Sequence, residues 1–259
     1  SNANVSNKIA IHMAKLHCGF VIPEYLRQYH NVENPGMWTQ LCDWMEQAKS
    51  ENAEYPYKAP NDEKRASELF DLEFIEKELH QLKSGQKGGI PEQARVAFCH
   101  NDLLAANIMR STTSPSKDEE DEEEEFDVQL IDFEYGGVNY ACFDIANHFN
   151  EWAGGTTDGK PNYDLFPTIR QKTQFCQAYL AEVARLQQTQ NKPLQNHHDE
   201  TQSAMLQTLM MEVDAFVLAN HLYWGLWAVN QAKAEGCDDF DYLLYAHNRF
   251  RQFEICQAS

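Results

Sequence analysis

One stretch of this sequence constrains the fold more than any other. His100-Asn101-Asp102-Leu103-Leu104-Ala105-Ala106-Asn107 follows the apolar run Arg95–Phe98, and Ile131-Asp132-Phe133-Glu134 closes a later such run that starts at Val128. Short segments rich in Val, Phe and Ile read as strands, so both polar motifs sit at strand ends. The expected strands are Arg95–Phe98, Asn107–Arg110 and Val128–Phe133. Between the last two lies Ser111–Phe126, rich in Ser, Thr and Pro and then unbroken acid from Asp118 to Glu125. Such a composition has too little apolar surface to offset its ordering entropy, so residues 111–126 are expected to form a mobile surface insertion on a hairpin. Polar residues gathered at the ends of a few strands, in a chain patterned elsewhere for helices, mark a site rather than a core.

The remainder has helical spacing. Val5–Leu16, Met37–Ala48, Glu63–Leu82, Thr168–Leu186, Thr201–Lys233 and Phe240–Cys256 repeat apolar residues every three or four positions. The expected class is mainly α (α+β), with a small β-hairpin element carrying the polar motifs. Ser84–Pro91 is Gly-rich, but its spacing fits neither G-x-G-x-x-G nor a Walker loop, and it reads as a flexible connector. Ser1-Asn2-Ala3 has the look of a cloning scar, which leaves 4–259 as the folded unit.

Composition excludes several function classes. A content of 42% hydrophobic residues supports one substantial core, yet no stretch approaches the roughly 18 consecutive apolar residues of a membrane span. No signal peptide is evident, and the seven cysteines are odd in number and never spaced C-x-x-C. A cytoplasmic protein without membrane insertion, disulfide framework or zinc site is expected. The formal charge of −19 disfavours nucleic acid as a partner and favours a cationic small molecule.

H-x-D-x-x-x-x-N after a strand, then a hairpin, then an apolar residue and Asp-Phe, is the arrangement of the kinase fold. Phosphoryl transfer needs little covalent help from protein: neutralised phosphates, an in-line hydroxyl, and a carboxylate to orient it and take its proton. Asp102 fits the base, and Asn107 and Asp132 offer the oxygen ligands that Mg²⁺ prefers, with ATP as co-substrate. A turn merely capped by His100 and Asp102 would explain the first motif and leave the second unexplained. Glu134 stands where protein kinases carry the Gly of D-F-G, and no A-P-E segment follows, so a protein substrate is disfavoured. Neither a Gly-rich phosphate loop nor a strand Lys with a helix Glu is recognisable. The N-terminal nucleotide lobe is therefore expected to be absent, and the chain alone to turn over slowly or not at all.

The segments FCHNDLLAANI, LIDFEYGGVNYACFDIANHFNEWAG, HLYWGLWAVNQAK and FDYLLYAHNRF together resemble the choline/ethanolamine kinase family, from about Ile9 to Phe253. The resemblance implies a protein-kinase-like C-terminal lobe and the first step of phosphatidylethanolamine synthesis. It implies Asp102 as catalytic base, Asn107 and Asp132 as metal ligands, and His100 and Asp144 as support for the catalytic loop. Glu134 and Glu151 would be the carboxylates near the substrate nitrogen. Trp224, Trp227, Phe240 and Tyr245 would form its aromatic wall, with Tyr135 close by. Aromatic faces hold ammonium groups by cation–π attraction, so the residue types suit the role independently. Trp224 and Trp227, three apart on a helix, also have the spacing of ordinary core residues. A lone His148 reads as a hydrogen-bonded structural histidine.

HNDLL, NHFNEWAG and NYDLFP look more like ethanolamine kinases, whereas Trp224-Gly225-Leu226-Trp227 is reminiscent of choline kinases, so choline or both alcohols remain alternatives. A non-catalytic amino-alcohol-binding pseudokinase would have no chemical need for Asp102, Asn107 and Asp132 together. An antibiotic phosphotransferase would have no need for the tryptophan pair. The partner implied is a small amino-alcohol, and a homodimer is compatible with the family.

Overall fold

The computed structural model describes residues 3–28, 32–50, 56–85, 90–91, 94–112, 126–189 and 199–258. Its helices are α1 (Ala3–Gly19), α2 (Gly36–Lys49), α3 (Pro60–Leu69), α4 (Leu72–Lys83), α5 (Ala141–Glu151), α6 (Ile169–Thr189), α7 (Asp199–Glu235) and α8 (Tyr242–Gln257). Four short strands lie in the middle of the chain: β1 (Val96–Cys99), β2 (Ile108–Thr112), β3 (Phe126–Leu130) and β4 (Gly137–Tyr140). No helix among the described residues is long and apolar enough to cross a membrane.

The 37-residue α7 is the axis of the molecule. Its C-terminal half is apolar on nearly every face, from Val213 through Phe216, Ala219, Leu222, Leu226 and Val229 to Ala232, and a helix of that kind must be surrounded. Helices α2, α5, α6 and α8 pack around it. α8 comes close at Gly225, where an added Cβ would clash with the ring of Phe250. Glycine here sets the separation of the two helices.

Glu63–Leu82, expected as one helix, is two. Phe70 is extended, and the carboxylate of Asp71 caps α4 by accepting from the N–H groups of Glu73 and Phe74 at 2.9 and 3.2 Å. α3 buries Ala66 against Ala232 and Leu243, whereas α4 buries Ile75, Leu79 and Leu82 in the main core, and the apolar period runs through the break and hides it.

The expected single hairpin is also more elaborate. β2 pairs antiparallel with β3, from Ile108 opposite Leu130 to Thr112 opposite Phe126. A separate antiparallel pair joins β1 to β4, from Val96 opposite Tyr140 to Cys99 opposite Gly137. β3 stops at Leu130, so Ile131–Phe133 lie beyond it rather than within a strand reaching to Phe133. Of the acidic insertion expected at 111–126, residues 113–125 lie outside the described residues, as do residues 86–89 of the expected connector and Ser1-Asn2. Ala3, the third residue of the supposed scar, opens α1.

Candidate active site

The turn between β1 and β2 is built around one buried carboxylate. Asp144, on α5 and without solvent exposure, accepts from the backbone N–H of His100 at 2.9 Å and of Asn101 at 2.7 Å. It also pairs with His17 Nε2 of α1 at 2.9 Å, and His17 Nδ1 meets the Tyr179 hydroxyl at 2.9 Å. Burial alone would raise its pKa, but the hydrogen bonds and charge of His17 and the two amides hold it below the ordinary carboxylate value. His17, Cys99 and Asp144 offer ligand atoms within 4.8 Å of one another. His17 and Asp144 are committed to each other, and burial pushes the Cys99 thiol well up, so the group reads as support rather than a metal centre.

Among the described residues other than glycine, two adopt left-handed backbone conformations, Asn101 at φ 68° and Asp132 at φ 62°. For a residue with a Cβ this conformation persists only when its surroundings impose it. At Asn101 they do. Besides the Asp144 contact, its Nδ2 donates to the Tyr135 carbonyl at 2.9 Å, and its Oδ1 accepts from Asn139 Nδ2 of β4 at 2.9 Å. His100 ties the same turn to the second motif. Its Nε2 donates to the Ile131 carbonyl at 2.8 Å, which leaves Nδ1 to accept the Asp102 N–H at 3.3 Å. Asn107 completes the connection: the Ile131 N–H donates to its carbonyl at 3.0 Å, while its Nδ2 donates to the Asp102 carbonyl at 2.8 Å and to Asp102 Oδ2 at 3.3 Å.

These bonds gather carboxylates. Burial pushes Asp102 up to about 7, and the negative charges of Glu151, Glu134 and Asp132 add to the shift, with the Asn107 hydrogen bond opposing it. A hard dication fits this donor set. Asn107 spends its amide nitrogen on Asp102 and keeps Oδ1 as a ligand atom, and the exposed Asp132 carboxylate has no hydrogen-bond partner among the described residues. Positive charge here would offset the mutual repulsion of the four acids.

The aromatic residues singled out in the sequence also meet. Tyr135 is edge-on to Trp224 at 5.5 Å, Trp224 to Trp227 at 5.4 Å, and Trp227 to Tyr245 at 6.4 Å between ring centroids. Phe240, in the turn before α8 rather than at the start of a helix, lies 5.9 Å from Tyr245. Tyr242, which carries no sequence signal of its own, stands between Trp227 at 5.6 Å and Phe240 at 4.9 Å. Trp224 and Tyr245 are 5% and 4% exposed and so belong to the core as well, whereas Trp227 and Phe240 are half-buried. Tyr135 joins the two halves of the site, its carbonyl held by Asn101 and its ring against Trp224.

Glu151, at the end of α5, is paired with the buried Arg249 of α8 at 3.3 Å. Burial raises its pKa and the guanidinium opposes the rise. Nothing in the sequence singled out Arg249, since Asn248-Arg249 within an otherwise amphipathic helix reads as an exposed pair. His148 is buried and neutral. Its Nδ1 meets the Leu103 carbonyl at 3.2 Å and its Nε2 accepts from Trp152 Nε1 at 3.3 Å, and burial depresses its pKa to about 4.

The chain as a whole is similar to known proteins. The family model described as choline/ethanolamine kinase matches residues 1–254. The chain is 34% identical to a probable ethanolamine kinase of Arabidopsis thaliana over 90% of its own length and 54% of that protein. To a probable choline kinase 2 of the same plant it is 29% identical over 88% of its length and 56% of the relative's. A solved ethanolamine kinase of Plasmodium vivax superposes with a TM-score of 0.69 at 23% identity, covering 97% of this chain and 59% of the other, and so shares the fold. The chain spans about half the length of the curated relatives it matches.

Proposed function

Because the chain belongs to the choline/ethanolamine kinase family, we propose that it is the substrate-binding, catalytic lobe of an enzyme that transfers the terminal phosphoryl group of ATP to the hydroxyl of ethanolamine. The observation that carries this reading is the junction at Tyr135, which sets a turn bearing a raised-pKa carboxylate against a box of aromatic rings. Asp102, at about 7, is poised to accept the hydroxyl proton at neutral pH. Asn107 and Asp132 would hold Mg²⁺, which neutralises phosphate charge when bound. The faces of Trp224, Trp227, Tyr135, Phe240 and Tyr245 would hold the ammonium end, each contributing about 0.5–2 kcal/mol according to its desolvation. Glu134 and Glu151 add negative charge on that side.

Ethanolamine is preferred over choline on two grounds. Identity is higher to the ethanolamine kinase than to the choline kinase, 34% against 29%. The site also offers carboxylate and phenol oxygens to an ammonium that has hydrogens to donate, whereas a trimethylated nitrogen has none. Because hydrophobic pockets discriminate added methyls by only about 1–3 kcal/mol, choline remains a secondary substrate. Competition between the two alcohols in a phosphotransfer assay of the full-length protein tests this, and a choline preference would overturn it. We further propose that turnover requires a nucleotide-binding lobe outside this sequence. Ordinary ethanolamine-dependent ATP consumption by these 259 residues alone would refute that.

A further inference from the structure

Asn220 lies on α7 with no solvent exposure, behind the aromatic box. Its Nδ2 donates to Asn147 Oδ1 at 2.8 Å, and that oxygen also accepts from Trp224 Nε1 at 2.6 Å. On its other side, Asn220 Oδ1 accepts from Asn150 Nδ2 at 2.7 Å and from Arg249 Nη2 at 2.6 Å. Arg249 in turn donates through Nη1 to Glu151 Oε1 at 3.3 Å and to the Tyr245 hydroxyl at 3.2 Å. One carboxamide thus connects Trp224, Tyr245 and Glu151, which come from three helices.

The polarity of this chain of bonds is dictated by its ends. An indole N–H and a guanidinium can only donate, so the group between them must present an acceptor to Arg249 and a donor to an oxygen already engaged by Trp224. An amide does both, an aspartate lacks the donor, and a serine reaches neither side. Among the described residues, Asn147 Nδ2, Asn150 Oδ1 and Arg249 Nε have no partners. Buried polar atoms left unmet are costly, so an apolar core would be the more stable solution, and what the amides supply is a fixed geometry.

Resting on the kinase reading above, we infer that Asn220 is a positioning residue that sets the spacing of Trp224, Tyr245 and Glu151 for the cationic end of an amino-alcohol without touching it. Asn220→Asp in the full-length protein keeps the acceptor for Arg249 and loses the donor to Asn147, which releases the Trp224 side alone. Steady-state kinetics with both substrates varied should show KM for the amino-alcohol raised about tenfold, as expected for one lost buried hydrogen bond, with kcat and KM for ATP within about twofold. Unchanged KM in a folded variant, or a fall in kcat alone, overturns the inference. If Asn220→Asp does not fold, Asn220→Ser is measured the same way with a larger rise expected. Failure of both to fold assigns the residue to stability only and also overturns it. A wild-type protein inert toward ethanolamine and choline sinks the kinase reading instead, and calorimetric titration of the two alcohols into wild type and Asn220→Asp then decides the positioning claim by itself.

Discussion

The polar turn carrying Asp102 and the aromatic box lie on either side of Tyr135 and are held in different ways. The turn is short in sequence and polar: a single carboxylate, Asp144, and three amide side chains fix eight residues, two nearby backbones are left-handed, and like charges press on Asp102. The box is long in sequence and apolar, its rings drawn from Tyr135 through Tyr245 and placed edge to face by the packing of α7 and α8. A half-site under electrostatic strain tends to trade stability for reactivity, whereas one made by packing owes its stability and its selectivity to the same contacts.

That difference is open to direct attack. Asp102→Asn in the full-length protein should lower kcat by about 10²–10⁴-fold with the KM for ethanolamine little changed, measured by coupled release of ADP. The same variant should be more stable than wild type in melts without metal. The folded-state pKa of Asp102 is raised from 3.8 to about 7, so the stability of its protonated form is complete below 3.8 and is lost as pH rises through about 7. Asparagine loses nothing, and the gap should be near zero at acid pH and on the order of 2–4 kcal/mol above pH 7. A gap that shrinks with rising pH would break the contrast between the halves.

Asp144→Ala should cost about 3–5 kcal/mol, because it leaves His17 and two backbone amides buried and unmet, and chemical denaturation measures it. Gly225→Ala pushes α8 from α7 and should cost about 1–3 kcal/mol while raising KM for the alcohol and sparing KM for ATP. Trp227→Leu, which keeps apolar bulk and loses the ring face, should weaken ethanolamine binding by about 0.5–2 kcal/mol in a calorimetric titration, with the melting temperature nearly unmoved. Were the melting temperature to fall as far as in Gly225→Ala, Trp227 would be a core residue and not a wall.

Legibility in the sequence followed the same division. Asp102, Asn107 and Asp132 are readable because their motifs are contiguous and their spacing answers to one chemistry. The rings are legible only through resemblance, since their spacing alone does not separate wall from core, and Trp224 is buried in the core. His17, Asn147, Asn220 and Arg249 are not legible, because a buried polar side chain on a helix leaves no mark in the apolar period. β4 is hidden for a related reason. Gly137-Val138-Asn139-Tyr140 is too short and too Gly-led to read as a strand, and its pairing partner β1 lies some forty residues earlier in sequence.

The contact between Gly225 and Phe250 has a consequence for how such a protein changes its diet. Opposite sides of the box ride on the two helices that this contact spaces, Trp224 and Trp227 on one and Tyr245 on the other. On the proposed reading of the box as the seat of the amino-alcohol nitrogen, its width is set from Gly225, which lies outside it. The residue at 225 then acts as the hinge of a calliper whose jaws are the rings.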